Sequence, residues 1–287
     1  MADWDSYCTR YLDLKRKLQV DEEDWDANWE NLVADCDTIK ENLVADFSPH
    51  CPPTSSEDIA WFREALSDDK RKSFAAFALE KPRTVPETLY EPMIRAAVSE
   101  RDPSKTGRFV EPCLSTFGLR RVNETLLDRF EHGSDSEKAC AVQAMYWACG
   151  LVQPTEQDYN NPETAVAIEA MKDIWMRRRC LLLLEFVNNP SPVVRQRIIP
   201  HLELKKSSNY PQELQHLVPQ AIQIAKNNPD KYIRHRFEIQ MGSGKTQSFS
   251  PLPSMDRADE GGWLSRAPQT LVARAITFLK VYLKFWL

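Results

Sequence analysis

Two arginine pairs at a fixed spacing are the residues best suited to chemistry in this chain. Arg195-Gln196-Arg197 and Arg234-His235-Arg236 lie 39 residues apart, and Arg177-Arg178-Arg179 stands just upstream. A guanidinium is a permanent cation with a planar fork of donors that fits carboxylates and phosphates. Two readings follow. Arg195, Arg197, Arg234, Arg236 and Arg178 form a patch for an acidic partner, or they form a structural ladder. In a ladder they would bond the acids and carbonyls of neighbouring turns, with Asp230 close by in sequence.

Other chemistry lacks its residues. Met241-Gly242-Ser243-Gly244-Lys245-Thr246 carries the Gly-Lys-Thr ending of a P-loop. The position five residues before Gly244, however, is Ile239, where that loop needs a glycine to wrap its N–H groups around phosphates. The five histidines are His50, His132, His201, His216 and His235, and none is followed by glutamate. On a helix, His201-Leu202-Glu203 would put its two polar side chains on different faces. No Gly-x-Ser-x-Gly elbow occurs, and no cysteine sits in a nucleophile motif. The seven cysteines are scattered without a Cys-x-x-Cys pair; in settings such as Ala139-Cys140-Ala141 they read as small buried residues of a reducing compartment. The expectation is a non-catalytic protein with no cofactor and no metal.

Charge narrows the partner. The net charge is −5 and the pI about 5.7, so the chain lacks the overall basic field that nucleic acid selects. Residues 1–50 hold 13 acids and 5 bases, densest at Asp21-Glu22-Glu23-Asp24-Trp25-Asp26, which reads as a solvated helix start. The first residues have neither the positive start nor the apolar core of a signal peptide. No run reaches the ~18 apolar residues of a membrane span, and the cytoplasm is the expected compartment.

The elements that must position the arginines are helices in pairs. Asn188-Asn189-Pro190-Ser191-Pro192-Val193-Val194-Arg195-Gln196-Arg197 recurs as Asn227-Asn228-Pro229-Asp230-Lys231-Tyr232-Ile233-Arg234-His235-Arg236. A period in the range of ~20–50 residues marks one supersecondary unit stacked on copies of itself. Apolar spacing predicts helices over Asp58–Leu66 and Asp69–Leu79, Val85–Ser99 and Lys105–Phe117, and Arg121–Phe130 and Glu137–Cys149. Two further pairs are predicted over Pro162–Val187 and Val193–Leu204, and over Pro211–Ala225 and Tyr232–Met241. Gly133-Ser134-Asp135-Ser136 offers an N-cap, and Asn-Asn-Pro stops a helix because proline lacks the N–H. Pro92, Pro112, Pro200 and Pro219 fall inside predicted helices, where each would act as a kink. Gln153 to Pro162 is a longer polar loop.

Helix pairs of about 39 residues, an apolar-apolar-Arg start to the second helix and helix-interior prolines resemble HEAT repeats. The resemblance spans roughly residues 57–241, and Arg108-Phe109-Val110-Glu111-Pro112-Cys113 through Gly118 is similar to a bacterial subgroup. It implies an all-α, right-handed α-solenoid of about five HEAT-like helix pairs, with second helices lining a concave face, and protein–protein scaffolding as the activity. Residues 1–50 read as an acidic N-terminal helical cap of two helices, Asp5–Leu18 and Asp24–Leu43. Residues 57–241 are the repeats, and 242–287 an irregular tail ending in an amphipathic cationic helix over 271–287. That last helix either caps the stack or touches a membrane or partner. The expected partner is an acidic protein bound on the concave face. The alternative is nucleic-acid or phosphate binding by an arginine ladder, as in HEAT-like DNA-repair proteins.

Overall fold

Side-chain caps and proline-bearing turns cut this chain into helices. The computed structural model describes residues 2–18, 38–80, 84–149 and 162–242, and no strand occurs among them. The helices are α1 (Trp4–Leu18), α2 (Ser56–Ser67), α3 (Lys72–Glu80), α4 (Glu87–Ser99), α5 (Pro103–Phe117) and α6 (Leu119–His132). There follow α7 (Asp135–Cys149), α8 (Pro162–Glu169), α9 (Lys172–Asn188), α10 (Pro192–Ile198), α11 (Leu217–Lys226) and α12 (Lys231–Met241). Residues 38–47 are helical as well. Ser55, Asp102 and Asp230 accept from the first N–H groups of α2, α5 and α12. At α7 the Ser134 N–H donates to Glu137 Oε2 at 2.9 Å and the Glu137 N–H to Ser134 Oγ at 3.4 Å, a reciprocal capping box.

The chain divides into two compact units, Met1–Gly118 and Leu119–Leu287. In the first, α2 pairs with α3 and α4 with α5, while α2 packs on α4 and α3 on α5. Helix α1 lies on α3 and meets α2 through an aromatic cluster: Tyr11 stacks on Phe77 of α3 at 5.1 Å and Trp4 meets Phe62 of α2 edge-on at 4.7 Å. Trp4 also donates its indole N–H to Asp58 at 2.6 Å, which joins α1 to the start of α2. Phe47, fully buried, closes the cluster against Phe74 and Phe77.

In the second unit, α6 pairs with α7, α9 with α10 and α11 with α12. First helices pack in the order α6, α9, α11 and second helices in the order α7, α10, α12. The apolar stripe that predicted α10 is buried at Val194 and Ile198, opposite Leu182, Leu183 and Phe186 of α9 in the same core.

Three expectations are corrected. The helix predicted over Pro162–Val187 is two helices, broken at Ala170 and Met171, where the Met171 N–H turns back to Ile168. The helix predicted over Val193–Leu204 stops at Ile198 and tightens into a 3₁₀ turn, Ile199–His201, so Pro200 ends a helix rather than kinking one. Pro219 sits in the first turn of α11, where its missing N–H has no intrahelical acceptor to lose. Pro92 and Pro112 do lie inside α4 and α5. The loop from 153 to 161, residues 24–37 of the second cap helix, and the tail from 243 onward with its helix at 271–287 lie outside the described residues.

Candidate functional site

The 39-residue repeat places equivalent residues in equivalent roles. Asn189 Oδ1 accepts from the Ser191 N–H at 2.8 Å, and Asn228 Oδ1 from the Asp230 N–H at 3.0 Å, the same side-chain turn before each second helix. Val194 and Ile233 are fully buried, whereas Val193 and Tyr232, one residue earlier, are 54% and 37% exposed. An exposed apolar residue thus precedes a buried one at the start of both α10 and α12. Gln196 joins the two units of the repeat by donating to Asp230 at 2.6 Å.

The five candidate arginines separate into two groups. Arg195 donates to the Phe186 carbonyl at 3.0 Å and the Val187 carbonyl at 3.3 Å, and lies 5.7 Å over the Phe186 ring. It satisfies orphan carbonyls in the last turn of α9, and desolvation pulls its pKa below the ordinary arginine value. Arg234 does the same for the next turn, bonding the Asn228 carbonyl and the Pro229 carbonyl, the latter at 2.8 Å. Both hold the fold. Arg197 is exposed and has no ion-pair or hydrogen-bond partner among the described residues. Arg236 lies over the Tyr232 ring, at 5.7 Å, and has no ion pair among the described residues. Arg178 has no bonded partner there, although its neighbours are occupied: Arg177 pairs with Glu131 at 2.7 Å, and Arg179 with Glu203 at 2.8 Å.

Two of the free arginines bear on His201 electrostatically. Burial lowers the imidazole pKa first, and the charges of Arg178 and Arg236 add to it, down to about 4. Its Nδ1 is buried without a hydrogen-bond partner. Sequence reasoning treated His201 only as a rejected metal ligand paired with Glu203. In the structure His201 ends a 3₁₀ turn and Glu203 lies beyond it, tied to Arg179. No sequence signal marks position 201 as buried, because its burial is decided by packing.

A second cationic cluster, in the first unit, is closed. Lys105 is paired with Asp102 at 2.7 Å and Arg108 donates to the Tyr11 hydroxyl at 2.9 Å. Lys15, 5.1 Å over the Tyr11 ring, is pulled down to about 8 by burial and then by Arg108 and Lys105.

Cys8 and Cys51 are poor nucleophiles. Burial pushes Cys8 up to about 11 and Cys51 to about 12, away from the thiolate that reaction requires. Among the described residues no three His, Cys, Asp or Glu side chains gather as metal ligands, and no helix is long and apolar enough to cross a membrane. Comparison with protein-family models, curated proteins and solved structures finds no match.

Proposed function

We propose that residues 119–242 form a right-handed, HEAT-like α-solenoid segment that acts as a non-catalytic scaffold, docking an acidic protein on a concave face lined by its second helices. One observation carries the reading. At equivalent positions of α10 and α12 an exposed apolar residue (Val193, Tyr232) stands four residues before an arginine without an acidic partner among the described residues (Arg197, Arg236). Residues four apart share a helix face, so each repeat offers the same apolar-plus-cation pair. Apolar contact supplies affinity in such a surface, and unpaired guanidiniums select the charge of the partner.

The local charge agrees. Residues 172–242 hold 12 Lys and Arg against 6 Asp and Glu, although the whole chain is at −5. Arg195 and Arg234 are assigned no part in docking, because their guanidiniums are engaged with carbonyls.

The test is capture by the immobilised full chain, with Arg178→Gln/Arg197→Gln/Arg236→Gln as the comparison and circular dichroism to verify its fold. The wild type is expected to retain acidic protein at low salt and release it by about 0.3 M salt, where the Debye length has shrunk to about 6 Å. The folded triple variant should retain roughly tenfold less. Equal capture by both proteins would sink the reading, and retention of duplex DNA in place of protein would move the surface to nucleic acid.

A further inference from the structure

Helices α10 and α12 are bonded to each other at both ends. Gln196 of α10 donates to Asp230, the cap of α12, at 2.6 Å, and Gln240 of α12 donates to the Ile199 carbonyl, just past α10, at 2.7 Å. The axes of such a packed pair lie about 8–10 Å apart, so residues on their exposed sides are neighbours. On α10 that side carries Val193, 54% exposed, and the exposed Arg197. On α12 it carries Tyr232, Arg236 and Ile239, the two apolar residues being 37% and 50% exposed. Positions 232, 236 and 239 follow the i, i+4, i+7 spacing of one helix face. Val194, Ile198, Ile233 and Phe237 are meanwhile buried in the core. Three exposed apolar side chains and two guanidiniums without a carboxylate among the described residues thus share a strip one helix pair wide.

A ligand for this strip needs apolar side chains with carboxylates beside them. The chain carries such a segment itself. Residues 243–287 hold three acids, Asp256, Asp259 and Glu260, all within five positions. Leu252 and Met255 precede them, and Trp263 and Leu264 follow. The other apolar stretch of this tail, 271–287, has Arg274, Lys280 and Lys284 and no acid, so Arg197 and Arg236 would repel it.

Reach permits the contact. The backbone leaves α12 at Gly242, whose φ of 73° ends the helix in the left-handed region. Thirteen residues, 243–255, separate Gly242 from Asp256. Such a stretch spans up to about 45 Å when extended. The way back is shorter: α12, at 11 residues, is about 16 Å long, and α10 lies about 10 Å to its side. A tether of this length presents its ligand at an effective concentration on the order of millimolar.

We propose that the strip formed by Val193, Arg197, Tyr232, Arg236 and Ile239 is occupied, in the free protein, by residues 252–264 of the same chain. Met255 and Trp263 meet the apolar side chains, and Asp256, Asp259 and Glu260 neutralise the two guanidiniums. An acidic partner would then bind by displacing this segment, a consequence that rests on the docking function proposed above.

The experiment places a photoreactive p-benzoylphenylalanine in the full chain, in place of Ala258, and maps the crosslinks by mass spectrometry. Irradiation at low salt should join position 258 to positions 193–197 and 232–239 within one monomer. The yield should fall roughly tenfold in Asp256→Asn/Asp259→Asn/Glu260→Gln and in Arg197→Gln/Arg236→Gln, and should fall as salt is raised to about 0.3 M. The acid variant leaves every described helix untouched, so it carries the test even if the arginine variant unfolds. Crosslinks between two monomers would assign the strip to a second copy and overturn the proposal. Crosslinks elsewhere, none at all, or a yield unchanged in the acid variant would overturn it as well. Capture of acidic protein by the immobilised chain is a separate readout, expected to rise roughly tenfold in the acid variant. Mapped crosslinks without capture would keep the segment on the strip and sink the docking function, and capture without those crosslinks would do the reverse.

Discussion

At the scale of single residues, two arginines that look interchangeable in sequence do different work. Arg195 and Arg197 belong to the same Arg-x-Arg, yet a two-residue step on a helix turns the side chains apart. Arg195 faces the end of α9 and completes its carbonyls; Arg197 faces outward. Arg195→Ala should therefore destabilise the protein by about 2 kcal/mol, the loss of two charge-assisted bonds and the Phe186 contact. Arg195→Lys should recover only part, since an ammonium lacks the fork. Arg197→Ala should stay within about 0.5 kcal/mol of wild type. Urea denaturation midpoints of the three variants check this, and equal losses for Arg195→Ala and Arg197→Ala would contradict the division. The spacing of these arginines was legible in the sequence. Which of them bond carbonyls was not, because their acceptors lie on the preceding turn.

Between elements, the first unit holds an ion pair that joins α3 to the turn ahead of α5. Lys72 and Glu100 have side chains only 8% and 9% exposed, and their charged atoms lie 3.3 Å apart. Lys72 also pairs with Asp69 at 2.8 Å, and Glu100 accepts from the Asp102 N–H at 2.9 Å. Its carboxylate partners raise the Lys72 pKa against the opposing effect of burial. Removing one member of a buried pair strands the other charge. Lys72→Met should lower stability by about 3 kcal/mol, and Lys72→Met/Glu100→Gln should recover more than half, because Gln keeps an acceptor without a charge. A double variant less stable than the single one would contradict the account; guanidinium denaturation decides. Helix positions in this region were legible from apolar spacing, although the Asp102 cap that starts α5 at Pro103 was not read. The breaks at Ala170 and at Ile198 were not. The apolar pattern runs on through both, and in the first no proline interrupts it.

For the molecule as a whole, acid should unfold this protein in two stages. His201 has a folded pKa of about 4 against an ordinary 6.5, so between these values the unfolded chain binds the extra proton. Stability is full above pH 6.5 and falls as pH drops through that window. Asp102, Glu137, Asp173 and Asp230 have depressed values, held down by hydrogen bonds from cations, backbone N–H groups or polar side chains, so their contribution is lost at lower pH still. Thermal melts from about pH 7 to about pH 4.5 should show Tm falling in wild type and nearly flat in His201→Gln. An equal fall in both would contradict the buried, neutral imidazole. The sequence by itself determined the helical class, the helix pairs, the 39-residue register and the helix stops at the two Asn-Asn-Pro turns. Those depend on periodicity, caps and prolines, which act within a few residues. The division at Gly118, whose φ of 89° needs a residue without a Cβ, was decided only by tertiary structure. So were the engagement of Arg195 and Arg234 with carbonyls and the burial of His201. These depend on which helix ends pack together, and the local sequence carries no mark of that packing.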